Sequence, residues 1–123
     1  MSKAPDLTLN HVAISAPEPE RSMAFYAAFG FEPGFQRLDD AGRIALQQLR
    51  RGAVFVELLA DRDAAAPGHF GLHTPDLNAV LHHLAKQDIT PLHPPRRGAS
   101  GVLWTFFEDP AGNMVEVTSD WPR

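Results

Sequence analysis

The 123-residue chain contains no cysteine, and this absence excludes several kinds of site at once. A disulfide framework, a thiolate metal centre and a cysteine nucleophile all need sulfur that the chain lacks. Long apolar runs are missing as well. No run approaches the roughly 18 residues of a membrane span, and the N-terminal segment MSKAPDLTLN lacks the apolar core of a signal peptide. We therefore expect a cytoplasmic protein with no membrane partner.

Positive charge is also scarce. The chain has 11 Lys and Arg residues against 15 Asp and Glu residues, and its net charge is -4 at pH 7. The one basic cluster, Arg96 and Arg97, is smaller than the clustered basic surface that binds nucleic acid. These features exclude a nucleic-acid partner and favour a small-molecule ligand. With 44% apolar residues, a chain of this length can bury one core.

The most informative feature that is present is an internal repeat. Residues 10 to 33, NHVAISAPEPERSMAFYAAFGFEP, align without a gap with residues 68 to 91, GHFGLHTPDLNAVLHHLAKQDITP. His11 falls on His69, and apolar residues match in kind along the alignment. A second pair of segments, FVEL at 55 to 58 and MVEV at 114 to 117, is 59 residues apart. Each half of the chain therefore opens with a histidine and closes with a glutamate.

The repeat predicts two tandem βαβββ modules in a single α+β domain spanning residues 1 to 123. The modules cover residues 7 to 61 and 69 to 119, with a linker at 62 to 68. Alternating and 3.6-residue apolar patterns, with proline, glycine and capping signals, set the element bounds. We expect strands at 7–16, 31–35, 43–49 and 53–60 and a helix from Pro19 to Gly30. In the second module we expect strands at 69–73, 89–92, 102–107 and 113–119, a helix at 75–87 capped by Thr74, and a loop at 94–101.

Four side chains in repeat-equivalent positions carry the candidate chemistry. His11 and His69 lie on the first strand of each module, and Glu57 and Glu116 lie on the last. Because the helices cover one face of each sheet, the other faces are expected to curve around a shared cleft in a barrel-like mixed sheet. Imidazole nitrogen and carboxylate oxygen suit Zn²⁺, Ni²⁺, Mn²⁺, Fe²⁺ or Co²⁺, and the pattern does not choose among them. We predict that the four residues hold one divalent transition-metal ion.

Several segments carry a family resemblance. The stretches NHVAIS, ERSMAFYAAFGFEP, VFVELL, HFGLHTPDLNAVLHHL and FFEDPAGNMVEV resemble the vicinal oxygen chelate superfamily. That superfamily includes glyoxalase I, methylmalonyl-CoA epimerase, extradiol dioxygenases, fosfomycin-resistance enzymes and bleomycin-resistance proteins. The resemblance covers about residues 7 to 119. It implies the glyoxalase-like fold and a homodimer, with a metal site formed either within one chain or across the dimer.

Carried over residue by residue, the resemblance favours glyoxalase I. His11, Glu57, His69 and Glu116 fall where glyoxalase I has its four metal ligands, whereas dioxygenases and fosfomycin enzymes use three and lack the equivalent of Glu57. This implies a metal-dependent carbon-sulfur lyase or isomerase acting on a small α-oxo or hydroxy-carbonyl substrate, such as a thiol hemithioacetal. The reaction implied is proton transfer through a metal-stabilised enediolate. Glu116 is assigned as the base and Glu57 as its partner on the opposite face, and the reverse assignment stays open.

The substrate is less determined than the metal ligands. Ser15 and Asp61 stand where bacterial glyoxalase I has an arginine and an asparagine, so the carrier thiol stays open. The candidate substrate-binding residues are His73, Phe55, Trp104 and Arg97. Two alternatives remain for the function. One is a bleomycin-resistance-like drug-binding protein without metal catalysis, and the other is a dioxygenase or a fosfomycin-resistance-type enzyme.

Overall fold

The fold consists of two similar halves. A computed structural model describes residues 11–60, 68–98 and 101–120. The elements are β1 (His11–Ser15), α1 (Pro19–Ala28), β2 (Glu32–Leu38), β3 (Ile44–Arg51), β4 (Val54–Leu59), β5 (His69–His73), α2 (Leu77–Ala85), β6 (Arg96–Arg97), β7 (Leu103–Glu108) and β8 (Met114–Ser119). They form two four-stranded sheets, ordered β1-β4-β3-β2 and β5-β8-β7-β6. The predicted α+β fold with two βαβββ units is confirmed. The predicted strand residues 7–10, the linker residues 62–67 and Asp61 lie outside the described residues.

Local signals set the bounds of both helices. Helix α1 begins at Pro19, which has no N–H to leave unbonded at a helix start. It is followed by Gly30 with φ +89°, whose N–H donates to the carbonyl of Ala27 at 2.9 Å. Helix α2 is capped by Asp76 rather than by the predicted Thr74, because the Asp76 carboxylate accepts from the N–H of Ala79 at 3.1 Å.

Both sheets bury one face in a single core. The alternating residues that face it are Ile14, Leu49, Val56 and Leu58 in the first half and Phe70, Phe107, Val115 and Val117 in the second. Rings cross between the halves, since Tyr26 of α1 packs against Phe70 and Phe29 packs edge-on against Phe107. Because the helices and both sheets contribute to one cluster, neither half holds a core of its own.

The strand register repeats between the halves. Glu57 of β4 lies opposite Ala13 of β1 and Gln48 of β3. Glu116 of β8 lies in the same way between Gly71 of β5 and Phe106 of β7. Since alternate residues of a strand point to opposite faces, both glutamates lie on the faces turned away from the core. The duplication seen in the sequence is therefore also a duplication of pairing geometry.

One predicted strand is wrong. Residues 89–92 form no strand, and β6 consists of Arg96 and Arg97, inside the segment predicted to be a loop. Pro91, Pro94 and Pro95 explain the difference, because proline has no N–H to donate to a sheet ladder. Before the last proline, the backbone N–H of Leu92 donates to the Phe106 carbonyl of β7, but regular ladder pairing with β7 begins only at Arg96.

A buried polar network joins the halves. Asn113 is fully buried, and its amide donates to the Ser15 carbonyl at 2.7 Å and accepts from the Gly68 N–H at 2.7 Å. The amide also donates to Asp109 Oδ2, and the same oxygen accepts from the Tyr26 hydroxyl at 2.8 Å. Burial, followed by the charge of Asp109 and this hydrogen bond, raises the pKa of Tyr26 far above its usual value. The network thus fixes the position of β1 relative to β5 and β8.

Candidate functional site

The first half of the site lies on the open face of the β1–β4 pair. His11 Nε2 lies 3.4 Å from Glu57 Oε1, although the two residues are diagonal neighbours rather than direct partners in the ladder. Their side chains are 43% and 23% exposed, so a ligand can reach both. Phe55 lies directly opposite His11 and is half-buried. The strand pair therefore presents one nitrogen and one carboxylate donor side by side, with an aromatic ring next to them.

The second half of the site repeats this arrangement on β5 and β8. His69 and Glu116 occupy the same diagonal positions, with Gly71 opposite the glutamate. A Cβ at Gly71 would lie 3.5 Å from Glu116 Oε1, so the glycine leaves room beside the carboxylate. The ring of His69 packs edge-on against Phe106 at 5.2 Å between centroids. This half carries more aromatic surface than the first.

The four predicted metal ligands do not meet as one group in the chain. Within the ranges 11–60, 68–98 and 101–120, no three His, Asp or Glu residues lie close enough together to hold a metal ion. His11 and Glu57 form a close pair, and His69 and Glu116 lie on the other sheet. The reason is architectural, because both sheets turn their apolar faces to the shared core and their donors away from it. The four-residue metal site stays a prediction.

The donor set nevertheless fits a divalent metal ion. Each open face supplies one imidazole and one carboxylate, and two such faces would supply the four nitrogen and oxygen ligands that a transition metal accepts. Their accessibility and the space left by Gly71 are both compatible with a bound ion. A single face, with two protein ligands, falls short of the three that catalytic zinc sites use.

The predicted substrate residues are placed differently from one another. Trp104 lies on the open face of β7, an orientation that the sequence left undecided. His73 is exposed on the same face of β5 as His69 and lines a cavity of about 430 Å³ at the junction of the halves. Arg97 is held by the chain itself, since its guanidinium donates to Asp120 at 3.3 Å and to the Gly101 carbonyl.

Sequence reasoning missed His93. Its ring lies 5.0 Å from the ring of Trp104 and 6.2 Å from that of Phe106. Two hydrogen bonds fix the residue: its Nδ1 donates to the Pro94 carbonyl at 2.7 Å, and its own carbonyl accepts from Thr105 at 2.7 Å. No sequence pattern could have found this contact, because it depends on the path of a proline-rich connection.

The chain was compared with protein-family models, curated proteins and solved structures. The family model described as Glyoxalase/Bleomycin resistance protein/Dioxygenase superfamily matches residues 8–117. No curated protein matches the chain. None of the helices within the described ranges is long and apolar enough to cross a membrane.

Similar solved structures share the fold. One is a lactoylglutathione lyase from Agrobacterium tumefaciens, with 24% identity, a TM-score of 0.78, and coverage of 94% of this chain and 96% of that one. A superfamily member from Sphaerobacter thermophilus has 24% identity, a TM-score of 0.73 and coverage of 93% and 98%. TioX from Micromonospora sp. ML1 has 14% identity, a TM-score of 0.75 and coverage of 93% and 100%. At these identities the similarity shows the fold alone.

Proposed function

Because the chain belongs to the Glyoxalase/Bleomycin resistance protein/Dioxygenase superfamily, we propose that it is a metal-dependent lyase or isomerase of the glyoxalase I type. Its substrate would be a small α-oxo or hydroxy-carbonyl compound, such as the adduct of a thiol with an α-oxo aldehyde. One observation carries the proposal. A histidine and a glutamate occupy matching diagonal positions on the open faces of both sheets, and on the first face they lie 3.4 Å apart.

The proposal includes a homodimer. One chain presents two donors on each of two separate sheets, and no described group of three could bind a metal ion. A second copy can supply the missing half, so that His11 and Glu57 of one chain face His69 and Glu116 of the other. Twofold symmetry then produces two equivalent sites. The shared core within each chain supports this arrangement, because it keeps the donor faces directed outward and accessible.

The side chains have distinct roles in this proposal. The metal ion would be held by His11, His69, Glu57 and Glu116, and it would act as a Lewis acid toward the substrate carbonyl. Glu116 is the base. Its carboxylate takes the proton from the carbon that bears the hydroxyl and returns it to the former carbonyl carbon, while the hydroxyl proton passes to the former carbonyl oxygen. The two isomers therefore interconvert without an oxidant or reductant. The space beside Glu116 left by Gly71 gives the carboxylate room to reach the substrate.

Replacing the base tests the chemistry. Glu116→Gln removes the proton acceptor but keeps the size of the side chain, so we expect an intact fold and the loss of methylglyoxal-thiol adduct isomerisation by at least about a hundredfold. Glu20→Gln, an exposed change on α1, is the control for lost charge and should retain activity. Turnover by Glu116→Gln equal to that of the wild type would reject the assignment.

Mixing two inactive variants tests the cross-chain site. His11→Ala and Glu116→Gln should each be inactive alone. If one site combines residues of both chains, a mixed dimer contains one doubly altered site and one unaltered site. Random exchange of subunits should then restore about a quarter of the wild-type activity. If the four ligands came from one chain, every site would carry one lesion and no activity would return.

A second function is favoured by a specific observation. The open face of β7 carries two large aromatic side chains, Trp104 and Phe106, which would also suit a drug-binding protein without metal catalysis. Metal analysis after native purification separates the two functions. About one transition-metal ion per chain supports the enzyme. A drug-binding protein is supported if the purified protein is metal-free, binds no added Ni²⁺, Zn²⁺ or Mn²⁺, and is as stable without these ions as with them.

A further inference from the structure

An aromatic wall lies beside the proposed base. We define this aromatic wall as His93, Trp104 and Phe106. Phe106 lies opposite Glu116 in the β7–β8 ladder, and Trp104 precedes it by two residues on the same face. The rings of Trp104 and Phe106 are 5.6 Å apart at 75°, and His93 lies edge-on to both. Ring centroids at these distances and angles form the edge-to-face contacts that aromatic groups favour.

The fold itself does not require these rings. Trp104 and Phe106 are only part-buried, whereas Thr105 and Phe107, which alternate with them, are completely buried in the core. The repeat supplies an internal comparison, because the register places Leu46 and Gln48 at the equivalent positions of the first half. Strand β3, the counterpart of β7, is thus built without a ring on its open face, and the open face of the first half carries the ring of Phe55 on β4 instead. The pair of rings on β7 is therefore a property of the second half-site and is not required by the architecture.

A cation, Arg96, lies at the Trp104 end of the aromatic wall, whereas His69 lies at the Phe106 end. Arg96 pairs with Trp104 in the β6–β7 ladder, and its guanidinium carbon lies 5.8 Å from the centroid of the Trp104 ring. Its neighbour Arg97 is bound to Asp120, but Arg96 forms no ion pair with any acid in the described part of the chain. A guanidinium that stacks over a ring keeps its N–H donors at its edge, where they can bind a carboxylate.

We propose that the substrate carries a planar aromatic group with an anionic substituent. The aromatic ring lies against Trp104 and Phe106, and the anion binds Arg96. This inference rests on the proposed function, because it places the reacting carbonyl at Glu116, next to Phe106. The substrate class is then an aromatic α-oxo or hydroxy-carbonyl adduct that bears a carboxylate. The rings of Trp104 and Phe106 favour an aromatic ligand over an aliphatic one, and the charge of Arg96 favours an anionic substituent over a neutral one.

The test compares three thiol adducts, formed from methylglyoxal, phenylglyoxal and carboxyphenylglyoxal. We expect kcat/KM to rise in that order. Trp104→Leu, which copies the residue of the first half, should lower the ratio of the phenyl to the methyl adduct by about tenfold. Arg96→Gln should remove the advantage of the carboxyphenyl over the phenyl adduct. Arg21→Gln, on α1 and paired with Glu18, is the matched control for lost positive charge and should change neither ratio.

Direct binding separates this inference from the proposed function. We expect 2-naphthoate to bind the protein saturably, as measured by titration calorimetry, and binding to weaken about tenfold in Trp104→Leu and in Arg96→Gln. Turnover of all three adducts without aromatic preference would overturn the inference and leave the proposed function intact. Naphthoate binding at the wall without turnover of any adduct would overturn the proposed function and retain the ligand class. Naphthoate binding unaffected by either variant would overturn the inference.

Discussion

The burial of Tyr26 predicts that the free energy of unfolding falls at alkaline pH. It is the only tyrosine of the chain, it is completely buried, and its hydroxyl donates to Asp109 at 2.8 Å. Burial and the neighbouring carboxylate raise the pKa of Tyr26 in the folded state far above that of the unfolded chain. Below about pH 10 the phenol keeps its proton in both states, and its contribution to stability is fully present.

The sign and size of the effect follow from proton linkage. Above about pH 10 the unfolded chain releases the phenol proton and the folded chain does not, so rising pH favours unfolding. The free energy of unfolding should fall by about 1.4 kcal/mol for each further pH unit. This loss is large compared with the roughly 5–15 kcal/mol by which small domains are stable.

Two measurements on the same samples test this prediction. Urea unfolding at a series of alkaline pH values gives the free energy of unfolding, and near-ultraviolet absorbance reports tyrosinate. We expect tyrosinate to appear only as the protein unfolds. Tyr26→Phe should lower the free energy of unfolding by about 1–2 kcal/mol at neutral pH, because Asp109 loses a hydrogen-bond donor. Above about pH 10, the free energy of unfolding of this variant should fall less steeply with pH than that of the wild type, because the variant has no phenol to titrate. Tyrosinate forming near pH 10 in a protein that still has its folded circular dichroism would refute the reasoning.

Three further substitutions test other parts of the structure. Asn113→Ala removes three side-chain hydrogen bonds, two of them buried, and should lower the free energy of unfolding by about 3 kcal/mol. The exposed control Asn78→Ala should change it by no more than about 0.5 kcal/mol, and urea unfolding measures both. Gly30→Ala forces a side chain onto φ +89° and should cost about 1–2 kcal/mol in the same assay, and an unchanged midpoint would contradict the strain. Gly71→Val crowds Glu116 and should weaken metal binding by about tenfold or more with little change in melting temperature; unaltered metal affinity would show that the space is irrelevant.

Features governed by short-range chemistry could be predicted from the sequence. Pro19 and Gly30 bound helix α1 where their backbone preferences place them. The repeat of His11 and Glu57 by His69 and Glu116 predicted equivalent strand positions, and the ladder registers agree with it. These predictions needed only local conformation and the period of a strand.

Features that depend on long-range geometry could not be predicted. The orientation of Trp104 depends on the register of β7 against β8, and a slip of one residue would have reversed it. The contact of His93 with that ring depends on a connection interrupted by prolines. The sequence also could not show that the halves pack through their helix-covered faces, which separates the two donor pairs within one chain.

The two faces of each sheet are under different constraints. Across the repeat, the core residues Val56 and Leu58 correspond to Val115 and Val117, which preserves their apolar character. On the opposite side Gln48 corresponds to Phe106, an amide replaced by a ring. Since the outer positions lie outside the shared interior, they can exchange chemical type at little cost in stability. A scaffold divided in this way can acquire new ligands by a few substitutions on one side while the other side keeps it folded.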